Sequence, residues 1–366
     1  EARVHRRSLV TFFGFDGHPV EPRRSPHFCR RMPLLQRGLL FLAFACCSSI
    51  GIRAQQPGIT RYDLDDGLPQ SMVNHVLQDR DGFIWLGTGD GLARFDGLRM
   101  LVYKHDPRDS SSLSHNAIWG LAEADEEHLW VATRTGLDLL DRRSGTFEHG
   151  ATGAGVNGCW IPVKSTGDEA IFYSPLSRDL LRINSGRTSR IPSGHLDSYA
   201  FDVNKEGDLC LYTTDSIIVL PLDDRPGTAI KLDRTGDVSA IIEVEGKWLL
   251  LTDRGGWLVH RDGTHEDPPA ELRNYLQQSR GLKYAARDPH GRLWIAISNV
   301  GVVQLRDDLS IERYYSLMDA NEGSLSVTRI AFDRQGNAWV GTDGKGVIRI
   351  APQRIKFQRC MAGMGL

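Results

Sequence analysis

The stretch "DRDGFIWLGTGDGLARFDG" at residues 79–97 decides the fold. It places an acidic turn, a Trp between apolar residues, a Gly-Thr pair and a second glycine turn in that order. On either side of "DRDG" lie Val73–Gln78 ("VNHVLQ") and Phe83–Leu86 ("FIWL"), short runs rich in β-branched, aromatic and aliphatic side chains. The Asp and Gly between them supply the side-chain-bonded and positive-φ positions of a tight turn. "GTGDG" (87–91) is a second such turn and "LARF" (92–95) a third strand; Asp96–Gly97 then turns the chain into "RMLVY" (99–103). The pattern predicts four strands in an antiparallel meander.

The same order recurs seven times. The residue in the Trp position is Trp85, Trp130, Phe172, Cys210, Trp248, Trp294 and Trp339, at successive spacings of 45, 42, 38, 38, 46 and 45. A four-stranded unit repeating every ~40–50 residues, with no helical period between copies, marks a β-propeller. The expectation is an all-β, seven-bladed ring of four-stranded antiparallel sheets over residues 55–356. Ile59–Tyr62 would be the outer strand of the blade carrying Trp339, leaving no open edge. A rival closing strand is Phe357–Leu366, which shares its length and its Gly-Leu ending with Ile59–Leu68 and reads as the start of a further, truncated repeat. The slot residues read as wedge filling between blades, with Cys210 as a buried, unreactive thiol.

The segment "DDGLPQSMVNHVLQDRDGFIWLGTGDGLARFDG" (65–97) resembles the two-component regulator propeller repeat. The shared order is Asp-Gly-Leu-Pro, a strand, an Asp-x-x-Gly turn, aliphatic-Trp, Gly-Thr, then Gly-Leu and an aromatic. "DPRDSSSLSHNAIWGL" (106–121) is similar to the family's linker between blades, and "GSLSVTRIAFDRQGNAWVGT" (323–342) repeats the pattern. The resemblance covers roughly 57–366 and thins between 150 and 260. It implies a ligand-sensing, periplasmic region of a membrane-bound bacterial signalling protein, tethered to the inner membrane. Such proteins carry a histidine kinase, a diguanylate cyclase or a DNA-binding output farther along, and the full-length receptor is open to homodimer formation.

The N-terminal segment agrees with that compartment. "RRMPLLQRGLLFLAFACCSSIGIRAQQ" (30–56) has basic flanks, a short apolar run from Gly38 to Ile52 and Ala54 at a cleavage position. The run suits a signal peptide and is short for a span, which needs roughly 20 residues. Residues 32–54 are therefore read as a signal peptide starting at Met32, with an uncleaved anchor as the rival, and residues 1–31 as upstream sequence translated in error. Setting 1–54 aside leaves 35 basic and 43 acidic residues, a net charge of −8. A mildly acidic domain without a basic stripe argues against a nucleic-acid partner. Cys29, Cys46 and Cys47 fall in the leader, and Cys159, Cys210 and Cys360 show neither a disulfide framework nor metal-ligand spacing.

Chemistry is hard to find in this sequence. It has no nucleotide-type glycine loop, no His-Glu-x-x-His, no Gly-x-Ser-x-Gly and no Cys-x-x-Cys. "GTGDG" and "GTDGKG" (341–346) sit at hairpin positions with no helix following, so their glycines are read as turn residues. No catalytic residue, cofactor or metal is assigned, and the stretch itself is expected not to be an enzyme.

Binding is easier to argue. In a propeller the inner strands begin around one mouth of the central channel. Counting eleven residues back from each slot gives Asn74, Trp119, Ile161 (beside Trp160), Tyr199, Asp237, Lys283 and Thr328 (beside Arg329). The candidate ligand-binding set is Asn74, Trp119, Trp160, Tyr199, Asp237, Lys283 and Arg329. Aromatic faces stack on the C–H surfaces of a sugar while amides and charges take its hydroxyls, so a small polar ligand of carbohydrate type is expected. His75 and His115 lie nearby without a third metal ligand. Three functions stay in view: a sensor module, a propeller glycosidase or lyase, and a protein-interaction platform.

Overall fold

The computed structural model describes residues 58–150, 158–166, 169–184, 187–191, 200–222, 225–233, 236–318 and 323–351. The leader assignments at 1–31 and 32–54, the segment 357–366, and Cys29, Cys46, Cys47 and Cys360 lie outside these residues.

Seven four-stranded antiparallel sheets follow one another along the chain. Their inner strands, from blade 1 to blade 7, are Val73–Gln78, Ile118–Glu123, Ile161–Thr166, Phe201–Val203, Val238–Val244, Lys283–Arg287 and Ser326–Phe332. Each inner strand packs beside the next, and the last packs beside the first, so the ring is closed. Closure uses the N-terminal strand: Ile59 pairs with Ile350 and Tyr62 with Val347, completing blade 7. Tyr62 then stacks on Trp339 with ring centroids 5.8 Å apart and 19° between planes.

All seven slot residues are buried, none more than 6% exposed. Trp85 packs with Ile118, Leu121 and Val131 of blade 2, and Trp339 with Val73, Val76 and Leu86 of blade 1. In blades 1, 2, 4, 6 and 7 the slot residue thus fills the wedge toward the following blade, whereas Phe172 and Trp248 stand one position out of register and pack toward the preceding blades 2 and 4.

The Gly-Thr pair has a separate mechanical origin. A Cβ on Gly87 would lie 2.7 Å from Ile118 Cγ2, and one on Gly341 would lie 2.6 Å from the Val73 carbonyl oxygen. Only glycine lets the next blade come this close. The Thr that follows closes the second turn, Thr88 Oγ1 donating to the Gly91 carbonyl at 2.7 Å and Thr342 Oγ1 to the Gly346 carbonyl at 2.7 Å.

One element departs from an all-strand reading. The helix Ala270–Gln277 sits between blades 5 and 6, inside the 46-residue spacing from Trp248 to Trp294. Leu272 and Leu276, four residues apart on one face, are fully buried, and Tyr275 packs on Tyr314 at 5.0 Å. Leu276 also covers Gly256, just past the second turn of blade 5, so the helix caps that wedge on the face where the inner strands begin.

Candidate functional site

The inner strands enclose an open channel of about 790 Å³. What lines it follows from a feature shared by five inner strands. The pairing of first with second strand skips one residue in blades 1, 2, 3, 5 and 7, at Asn74, Trp119, Val163, Ser239 and Thr328. A β-bulge of this kind leaves the extra residue unpaired and re-aims its side chain. All five bulged residues line the channel.

Three of them also stitch neighbouring blades together. Asn74 Nδ2 donates to the Ile118 carbonyl at 2.9 Å, Ser239 Oγ to the Lys283 carbonyl at 2.9 Å, and Thr328 Oγ1 to the Val73 carbonyl. Trp119 has no such duty and stands 37% exposed at the channel mouth, with Met72, Leu282 and Asp343 also on the lining.

The candidate set from the sequence divides accordingly. Asn74, Trp119 and Arg329 line the channel. Trp160 does not: it is 1% exposed in the core between blades 2 and 3, where it packs with Trp130 and Phe172. Lys283 is likewise a correction. Its side chain is fully buried, and the three N–H groups of Nζ are shared among four backbone carbonyls, those of Thr252, Asp253, Ser279 and Gly281, at 2.6 to 3.2 Å. That cage makes it a structural cation between blades 5 and 6. Asp237 is exposed two residues before the bulged Ser239 and off the channel lining, and Tyr199 lies outside the described residues.

The count misses for two reasons: blade 6 pairs without a bulge at Lys283, and elsewhere the first turn varies in length. Blade 1 uses five residues between Gln78 and Ile84, whereas blade 5 uses only Glu245 and Gly246, both with positive φ. That is the backbone of a two-residue hairpin turn, and it moves the bulge to Ser239.

Sequence reasoning missed Tyr284 and the charged residues Asp202, Lys205, Glu243 and Arg287, which also line the channel. Burial pushes the Asp202 carboxyl up to about 6, and the nearby Glu243 carboxylate adds to this against the N–H groups of Val203 and Glu243 and the charge of Arg287. Arg287 donates to the carbonyls of Glu243 at 2.6 Å and Gly291 at 2.9 Å. On the opposite stretch of wall, Arg329 is partly buried between blades 6 and 1, beside Tyr284 and His75.

Thiol chemistry is suppressed: burial raises Cys159 to about 11 and Cys210 to about 12. Among the described residues no cluster of three His, Cys, Asp or Glu side chains could hold a metal, and no helix is long and apolar enough to cross a membrane.

With this geometry in place, comparison with known proteins becomes specific. Residues 67–90 and 321–344 match the family model of the two component regulator propeller, so the chain carries repeats of that family in blades 1 and 7. A 49-residue stretch is 49% identical to histidine kinase P4 of Formosa agariphila, covering 13% of this chain and 4% of that protein. Two extracellular domains of hybrid two component systems from B. thetaiotaomicron share the fold, at TM-scores of 0.64 and 0.59 and identities of 20% and 17%. Each alignment covers 80% of this chain, and 42% and 40% of the respective domains, so the chain spans about two fifths of their length. Virginiamycin B lyase of Staphylococcus aureus has the same fold at a TM-score of 0.59 and 12% identity, over 81% of this chain and 99% of that one.

Proposed function

We propose that this propeller is the extracytoplasmic ligand-sensing module of a membrane-bound signal-transduction receptor. Occupancy of the channel mouth by a small polar ligand, of carbohydrate type, would be its input. The observation that carries this reading is an open channel with polar and charged side chains on its wall, edged by the exposed ring of Trp119, in a chain that carries two regulator-propeller repeats. Elsewhere on the lining, Asn74, Ser239, Thr328, Tyr284 and Arg329 offer amide, hydroxyl and cationic groups of the kind that take sugar hydroxyls. The propeller recognises and does not turn over; the output lies in another part of the receptor.

Calorimetric titration against a glycan panel tests it. Trp119→Ala should weaken binding by ~1–3 kcal/mol while leaving thermal unfolding nearly unchanged. Undiminished binding would move the site elsewhere. Export is tested separately: residues 32–60 fused to a reporter active only outside the cytoplasm should direct it there, and cytoplasmic retention would contradict the localisation.

One observation favours a second reading. Asp202 and Glu243 share the channel wall, and the first is raised toward the range of a general acid. Release of reducing sugar by the purified propeller, abolished by Asp202→Asn, would establish a glycosidase in place of a sensor.

A further inference from the structure

Arg329 presents an unusual balance of charge. It is partly buried on the channel wall, burial there disfavours its charged form, and the group whose field opposes this is Tyr284, not a carboxylate. Among the described residues it makes neither an ion pair nor a side-chain hydrogen bond, whereas the other channel arginine, Arg287, spends its donors on two carbonyls. A desolvated cation without a partner is costly, and proteins keep such groups where something else supplies the counter-charge.

His75 is a second polar group without a partner in this region. The residue is 5% exposed, and both ring nitrogens are buried without a hydrogen-bond partner. Its imidazole sits within the field of Arg329, which adds to burial in holding the ring neutral. Tyr284, from the inner strand of blade 6, brings a hydroxyl to the same wall. Arg329 and Tyr284, from blades 7 and 6, therefore share the channel wall without a carboxylate in the field of the guanidinium, and His75 of blade 1 is buried within that field.

We propose that Arg329, with the hydroxyl of Tyr284, forms an oxyanion site, and that the channel ligand carries a carboxylate there. A planar guanidinium matches a carboxylate by two parallel N–H···O bonds, which selects an acidic sugar over its neutral counterpart. Asp343 lines the channel too, at its exposed end, and would repel a second acidic group, which favours a single charge per ligand. This inference deepens the sensor reading and rests on it for the ligand's place, but not for its charge.

The test compares glucuronate with glucose, and sodium acetate with sodium chloride at equal ionic strength, by calorimetry and thermal unfolding on wild type and Arg329→Gln. Glucuronate should bind at least tenfold more tightly than glucose, and acetate should raise the unfolding midpoint saturably where chloride does not. Arg329→Gln should abolish both differences while the ligand-free variant unfolds at or above the wild-type temperature, because an uncompensated cation has been removed. Equal responses of wild type and variant overturn the proposal, as does the absence of any anion preference. A variant that unfolds well below wild type would show Arg329 to be structural, and overturns it as well. Binding of neutral glycans at the mouth without anion preference would sink this inference and leave the sensor reading standing.

Discussion

Trp85 Nε1 donates to Asp79 Oδ2 at 2.7 Å, with both side chains buried. The same bond joins Trp294 to Asp288 at 3.0 Å and Trp339 to Asp333 at 2.9 Å, each pair six residues apart. The other oxygen of Asp79 accepts from the N–H groups of Asp81 and Phe83, both at 3.0 Å. One carboxylate therefore caps the first turn and fixes the wedge indole.

Asp79→Ala leaves the indole N–H and two turn N–H groups without an acceptor and should cost ~2–4 kcal/mol. Asp81→Ala, two residues further on and largely exposed, should cost under ~1 kcal/mol, because its buried partner Arg142 keeps its ion pair with Asp79. Urea unfolding distinguishes them, and equal losses would contradict the assigned roles.

Gly341→Ala should destabilise by ~1–3 kcal/mol, because the new methyl meets the Val73 carbonyl of the neighbouring blade. At Gly323 an added Cβ meets nothing within 4 Å, so Gly323→Ala should change stability by under ~0.5 kcal/mol. Thermal unfolding of the pair checks whether Gly-Thr serves blade packing.

Tyr62 closes the ring from the N-terminal strand and touches both Trp339 and Phe95, the latter at 4.8 Å between centroids. Tyr62→Ala should cost ~2–3 kcal/mol, less than full burial would imply because the ring is partly exposed. Limited proteolysis should then cut first near Ile59–Tyr62. Unchanged stability would mean that the ring holds without this strand.

The pH dependence of stability should carry the mark of Asp202. Its folded pKa of about 6 exceeds the unfolded value of ~3.9, so the folded state binds more protons between them. Its cost to stability therefore grows as pH rises from about 4 to about 6 and stays constant above. Asp202→Asn should gain ~1–2 kcal/mol at pH 7.5, a figure reduced for solvent in the channel, and nothing below pH 4. A gain equal at both pH values would contradict this origin.

Much of the fold was legible because the Asp-x-x-Gly turn, the slot aromatic and the Gly-Thr pair each answer a local demand, and each recurs at one period. The strand Ile59–Tyr62 was readable as the closing strand because its edge had to be paired. The helix Ala270–Gln277 was not, since eight residues within one long spacing leave the period almost unchanged. The channel was only partly readable: Asn74 and Trp119 came from counting, but Trp160 and Lys283 turn into the core. Blade 6 pairs without a bulge, which leaves Lys283 pointing into the core, and elsewhere the residue that a bulge re-aims shifts with the length of the adjoining turn, which differs between blades 1 and 5. Tyr284, Asp202 and Arg287 carried no repeated signal because each comes from one blade alone.

Trp119 offers the most direct measurement of where ligand sits, because it is the exposed member of the chain's eight tryptophans while the other seven are buried. The difference in acrylamide quenching between wild type and Trp119→Phe isolates its ring. A panel glycan that raises the unfolding midpoint should also shield that ring, reducing the difference signal in a saturable way with the same dissociation constant. A glycan that binds with full thermal stabilisation yet leaves Trp119 as quenchable as before would contradict the channel as the sensing site.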